Sequence, residues 1–152
     1  MRRRHIAAIA FLALGVLAFA GAVAVAESGR PFTTTLTGAA EAPGPGDPDA
    51  SGVASLRLNQ GLGTVCFDVS WENVDGVVFA SHIHEAPAGV AGPIVVPLFE
   101  GSFAGTDAVS GCVSGVDAGL IKDIRRNPGE YYVNVHSLPD FGPGAIRGQL
   151  SK

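Results

Sequence analysis

All histidines beyond residue 26 fall in two short segments, Ser81-His82-Ile83-His84 and Tyr131-Tyr132-Val133-Asn134-Val135-His136. In a β-strand, residues two apart share a face and lie about 6.6 to 7 Å apart, so the imidazoles of His82 and His84 can converge on one ion. The β-branched and aromatic content of the second segment makes it a strand as well. If that strand neighbours the first, or faces it across a sandwich, His136 supplies a third nitrogen and leaves an open coordination position. Imidazole suits copper and zinc, and the affinity order of divalent ions places Cu(II) above Zn(II) where geometry does not discriminate. The single methionine is Met1, so a thioether-bearing blue-copper site is not expected, and a Cu(II) or Zn(II) centre of nitrogen ligands remains. Glu85, beside His84, or Asp140, in the loop after His136, could add an oxygen ligand. The competing reading is bland: alternating strands also carry histidines as solvent-facing or packed polar residues.

Other chemistry finds little support. No Gly-x-Ser-x-Gly elbow, phosphate-cradling glycine loop or His-Glu-x-x-His motif occurs. Asp117 and Asp123 cap and solvate a short helix more readily than they act as paired acids. Arg147 is the one cation inside a terminal strand; it could steer an anion towards a metal or pair with a neighbouring carboxylate. No catalytic residue is assigned.

The elements that must position these residues are short strands. Gly and Pro, 21 and 10 in the chain, cluster between apolar stretches in the manner of an all-β sandwich or barrel. Strands are expected over 32–38, 52–59, 63–71, 77–85, 93–98, 109–114, 130–137 and 145–150. Ala54, Leu56 and Leu58 alternate with Val53, Ser55 and Arg57, as on a strand with one buried face, and 59–63 reads as a hairpin connection. One helix is expected over 117–126, with Asp117 as N-cap and Pro128 as the stop. The segments 41–51 and 85–92 are loops rich in Gly, Pro and Ala.

The compartment is read from the start of the chain. Arg2-Arg3-Arg4, the uncharged apolar run Ile6 to Ala20 and the small-residue pattern Ala24-Val25-Ala26 describe a secretory signal peptide, cut after Ala26. Residues 1–26 are then removed, and 27–152 form one domain with one core, secreted or otherwise extracytoplasmic, with no membrane anchor after cleavage. That domain carries 7 Lys+Arg (10 less the three signal arginines) against 14 Asp+Glu, which disfavours nucleic acid and anionic membranes as partners. Cys66 and Cys112, an even pair in an oxidising compartment, read as one disulfide; a reactive thiol would need an activating base that neither has beside it in sequence.

Several of these stretches together resemble the CHRD (chordin-type) domain family. They are Leu36-Thr37-Gly38-Ala39-Ala40-Glu41-Ala42-Pro43, Ala50-Ser51-Gly52-Val53-Ala54, Ser81-His82-Ile83-His84, Gly92-Pro93-Ile94-Val95, Gly129 to Ser137 and Gly144 to Leu150. The resemblance spans about residues 33 to 150 and implies an extracytoplasmic β-sandwich with no firmly assigned activity. The chain departs from the family at Ala145, where a Glu often precedes Ile-Arg-Gly. The order of features also looks like that of copper-zinc superoxide dismutase, a Greek-key antiparallel sandwich of about eight strands. In that likeness His82 and His84 resemble paired copper ligands, His136 a late-strand ligand and Arg147 an anion-guiding arginine, whereas the bridging histidine and zinc loop have no counterpart. Three functions follow as expectations: a module binding one metal ion, copper before zinc, through His82, His84 and His136; an extracellular module binding a protein or glycan without metal; and a redox enzyme acting on a small oxidant.

Overall fold

The computed structural model describes residues 29–152. The expected signal peptide and its cleavage point lie outside the described residues. Eight strands occur: β1 (Arg30–Thr37), β2 (Ser51–Asn59), β3 (Thr64–Glu72), β4 (Val77–Glu85), β5 (Ile94–Glu100), β6 (Ala108–Ser114), β7 (Tyr131–Leu138) and β8 (Ile146–Gln149). They form one antiparallel sheet in the order β5-β4-β7-β8-β1-β2-β3-β6. The β8–β1 junction is a single register pair, Thr37 with Arg147, so the sheet folds there into two halves.

The halves β1-β2-β3-β6 and β5-β4-β7-β8 enclose one core. Leu36, Leu56, Val65, Val69 and Trp71 come from the first, and Val78, Ile83, Val96, Leu98, Val133, Val135 and Ile146 from the second. This is the all-β, sandwich-like architecture the strand spacing implies. The alternation in β2 points Ala54, Leu56 and Leu58 inward, and the hairpin at 59–63 sets the β2–β3 register. Among the described residues one α-helix occurs, α1 (Ala118–Arg126), and it buries Ile121 and Ile124 against the core. Its N-cap is Asp117, whose Oδ1 accepts from the Leu120 N–H at 2.9 Å, satisfying one of the free donors of the first turn.

Cys66 on β3 and Cys112 on β6 are register partners and form a disulfide. The bridge lies on the outer face and ties the edge strand β6 to β3 across a separation of 46 residues. A link of that span removes conformational entropy from the unfolded chain. Replacing both cysteines by serine is therefore expected to lower the unfolding free energy by about 3 to 4 kcal/mol. Urea denaturation of the two proteins measures the difference; an unchanged midpoint and slope would show that the bridge adds nothing.

Candidate metal centre

Strand β4 sends Ser81 and Ile83 to one face and Ala80, His82 and His84 to the other. Its neighbour β7 sends Val133 and Val135 into the core, which places Tyr132, Asn134 and His136 on the same outer face as the β4 histidines. Pairing sets His84 opposite Tyr132, His82 opposite Asn134 and Ala80 opposite His136. His136 is therefore the diagonal neighbour of His82, within reach of a side-chain contact. On the far side of β4, Glu100 is also paired with Ala80. A small residue at position 80 thus sits between the two groups that approach His82.

An outer sheet face is ordinarily wet, but this one is enclosed. His82, His84 and His136 are 5, 7 and 6% exposed, and the segments 86–93 and 139–144 reach two of the rings through the Gly92 and Gly142 carbonyls. One nitrogen from each ring lies within 4.8 Å of the others, a set that could hold a metal ion. The closest approach is His82 Nδ1 to His136 Nε2, 3.0 Å.

The outward nitrogen of each ring meets an oxygen. His84 Nδ1–H donates to the Gly92 carbonyl at 2.8 Å, and His136 Nδ1–H donates to the Gly142 carbonyl at 2.9 Å. A carbonyl only accepts, so both rings are held with Nδ1 protonated and Nε2 bare. His82 is turned the other way, with Nε2 3.5 Å from Glu100 Oε1 and Nδ1 facing His136. His84 Nε2 is buried and has no hydrogen-bond partner.

Burial is the largest influence on all three rings and disfavours their protonated forms. It lowers His82, with the neighbouring His84 acting in the same sense, and it lowers His84. His136 is depressed to about 4 against the opposing effect of the Gly142 carbonyl. At neutral pH the cluster is three uncharged imidazoles, the form that ligates metals.

Other residues complete the layer. Arg147, on β8, is 1% exposed. Its Nη1 donates to Val90 O at 2.8 Å and its Nη2 to Pro87 O at 2.9 Å and Gln149 Oε1 at 3.1 Å. Its Cζ lies 3.3 Å over the Tyr132 ring, and Tyr132 in turn stacks on His84 at 4.8 Å between centroids and 8° between planes. The Tyr132 hydroxyl accepts from Gly92 N–H, the residue whose carbonyl orients His84. Gln149 Nε2 donates to Ala86 O at 2.8 Å, closing the start of the same segment.

The placement of the expected site residues is therefore uneven. His82, His84 and His136 come together. Glu85 does not join them: it follows His84 on an alternating strand, so its side chain leaves on the opposite side and is exposed. The carboxylate that does approach is Glu100, which the sequence reading did not single out. Asp140 is exposed and lines a cleft of about 310 Å³ with Glu41, Pro43, Pro45, Phe141 and Pro143 rather than the histidines. Arg147, expected either to steer an anion or to pair with a carboxylate, is almost wholly enclosed and gives three hydrogen bonds to oxygens inside the protein. Tyr132 and Asn134 could have been read from the sequence, since they precede His136 by four and two residues on one strand. Glu41, which the sequence places at the start of a loop and in a stretch resembling the CHRD family but not among the site residues, carries a carboxyl that burial raises to about 7 against the attraction of Arg147, the Ala42 amide and Asn134.

Fold and centre together define an antiparallel β-sandwich domain with three clustered histidines on the outer face of one half-sheet. The CHRD domain model matches residues 32–150, and the chain belongs to the CHRD domain family. No curated protein and no solved structure matches the chain.

The histidine shifts give stability a pH dependence of fixed sign. Their folded values lie below 6.5, so the unfolded chain takes up protons first, and the ion-free fold loses stability as the pH falls from about 6.5 towards about 4. Glu41 acts oppositely: its folded value is raised, so its protonated form favours the fold below about 7 and offsets part of the loss. Denaturation at a series of pH values is expected to show the decline, steeper in Glu41→Gln; a flat profile, or one that rises on acidification, would contradict this account of burial.

Proposed function

We propose that this CHRD domain is an exported metal-binding module whose ion, copper with zinc as the alternative, is held by His82, His84 and His136. One observation supports the reading above the others. The oxygens of Gly92, Gly142 and Glu100 meet the three outward nitrogens, which leaves His82 Nδ1, His84 Nε2 and His136 Nε2 for an ion, and the three rings each offer a nitrogen within 4.8 Å of the others. Metal-binding histidines characteristically give their other N–H to a carbonyl or carboxylate.

Without an ion, His82 Nδ1–H donates to the bare Nε2 of His136. With an ion at the centre, the His82 proton belongs on Nε2, where Glu100 accepts it. Glu100 is thus a positioning residue that favours the ligating tautomer. The donors are nitrogen only, and among divalent first-row ions such a set binds copper more strongly than zinc. Export rests on the basic and apolar start of the chain and on the Cys66–Cys112 bridge, which suits an oxidising compartment. No helix among the described residues is long and apolar enough to cross a membrane.

Isothermal titration of the purified protein with Cu(II) and with Zn(II) tests the assignment. One equivalent is expected to bind, copper more tightly than zinc, and His82→Ala with His84→Ala and His136→Ala is expected to abolish the saturable phase. Glu100→Gln is expected to weaken binding by about 10- to 100-fold without unfolding the domain. Equal titrations by the parent protein and the triple variant would remove the metal reading.

A further inference from the structure

The polar layer behind the histidines holds a buried positive charge. Arg147 is 1% exposed and lies against one face of Tyr132. Strand β7 runs between β4 and β8, so the Tyr132 ring stands between the guanidinium and His84. Among the described residues no aspartate or glutamate forms a salt bridge to Arg147; its hydrogen bonds go to neutral carbonyl and amide oxygens. Glu41 is the carboxyl that attracts it, and burial keeps that group partly protonated at neutral pH. Glu100, the carboxylate beside His82, has a side chain that is 70% exposed and is screened by water.

The ligands add no compensating charge. Three imidazoles are neutral, and the cluster contains neither thiolate nor carboxylate. The free energy of taking an ion out of water grows with the square of its charge, so a divalent ion suffers about four times the desolvation of a monovalent one in the same enclosure. Rings that are 5 to 7% exposed leave little water to lessen that difference. Coordination number points the same way. Three imidazoles hold Cu(II) or Zn(II) only with a further ligand such as water, as in three-histidine zinc sites, and an enclosure this dry supplies little of it, whereas a d¹⁰ monovalent copper ion can do without one.

We infer that the His82–His84–His136 centre is selective for Cu(I) over Cu(II) and Zn(II), and that the stacked Arg147 guanidinium contributes to that selectivity. The inference rests on the metal-binding reading above and sharpens it to an ion of single charge. Its carrying juxtaposition is a neutral three-nitrogen set backed, through Tyr132, by an enclosed cation. At an effective dielectric of about 20 and a separation on the order of 10 Å, one fixed unit charge alters affinity by about tenfold for each unit of charge on the ion.

The test is a pair of competition titrations of the purified protein. Cu(I) is titrated anaerobically against bicinchoninate and Cu(II) against glycine, and the ratio of the two dissociation constants is compared among the parent, Arg147→Met and Glu41→Gln. The parent is expected to bind Cu(I) at least tenfold more tightly than Cu(II). Arg147→Met is expected to shift the ratio about tenfold towards Cu(II), and Glu41→Gln, which keeps the shape but removes negative charge, is expected to shift it further towards Cu(I). Should Arg147→Met fail to fold, the parent ratio and the Glu41→Gln shift still decide the matter. Tighter binding of Cu(II) by the parent, or a ratio that neither variant moves, overturns the inference and leaves the metal site standing. Binding of neither ion overturns both.

Discussion

Three imidazoles and a guanidinium have been taken out of water on what would otherwise be the wet face of a sheet, and their desolvation is the constraint that the surrounding structure answers. A buried polar group without a partner costs about 1 to 3 kcal/mol, and a buried charge more. The fold meets this with backbone. Carbonyls at Pro87, Val90 and Gly92 from one covering segment, and at Gly142 from the other, take the protons of Arg147, His84 and His136. The same bonds that satisfy these side chains fix the covering segments. Arg147 and Gln149 hold 86–92 in place, and that segment then presents the Gly92 carbonyl to His84. Ring orientation is in this sense a consequence of loop closure, and loop closure a consequence of a buried arginine.

Close approach by the two covering segments depends on glycine. A Cβ at Gly92 would lie 2.0 Å from the Glu85 carbonyl oxygen, so no other residue lets the chain return so near the end of β4. Gly144, with φ +156°, leaves space for the Glu41 carboxylate, whose Oε1 would be 2.5 Å from an added Cβ. The Gly-rich composition of these loops therefore has a local cause. It lets backbone oxygens reach the rings and lets a carboxyl slip beneath the chain beside Arg147.

Much of the scaffold was legible because it depends on local rules. Period-two alternation located β2 and its inward face, Asp117 announced the start of α1, and the extent of β4 agrees with expectation from Val77 to Glu85. His82 and His84 could be placed on one face from spacing alone. The convergence of His136 with them was only conditional, since it required β7 to lie beside β4, and pairing between segments 54 residues apart is not written in either. Glu85 adjoins His84 in the chain and so invites reading as a ligand, yet adjacency on a strand sends side chains to opposite faces. Glu100 and Glu41 had no signal of spacing. They arrive from β5 and from the loop after β1, and only the sheet order brings them in. Arg147 stood out by its charge, but whether a strand cation meets solvent or carbonyls depends on which loops cover it.

A layer of this kind does not resemble one selected for stability alone. Apolar side chains of similar size would cover the same sheet face without desolvating six or seven polar groups, and such replacements are often neutral or stabilising. Nor is the network complete in itself. His84 Nε2, Asn134 Oδ1 and Glu41 Oε1 are buried without partners, whereas native interiors pair the large majority of such atoms. The unpaired nitrogen of His84 is the informative one, because its ring is stacked on Tyr132 and pinned through Nδ1, and it cannot turn within that stack without breaking the bond to Gly92. Its lone pair is kept free beside the His82–His136 pair, whose own facing nitrogens are 3.0 Å apart. A packing role explains the burial of these histidines and the fixing of their outer nitrogens but gives no reason to leave that inner atom bare; the three rings also offer a set of nitrogens within 4.8 Å of one another that could hold a metal ion.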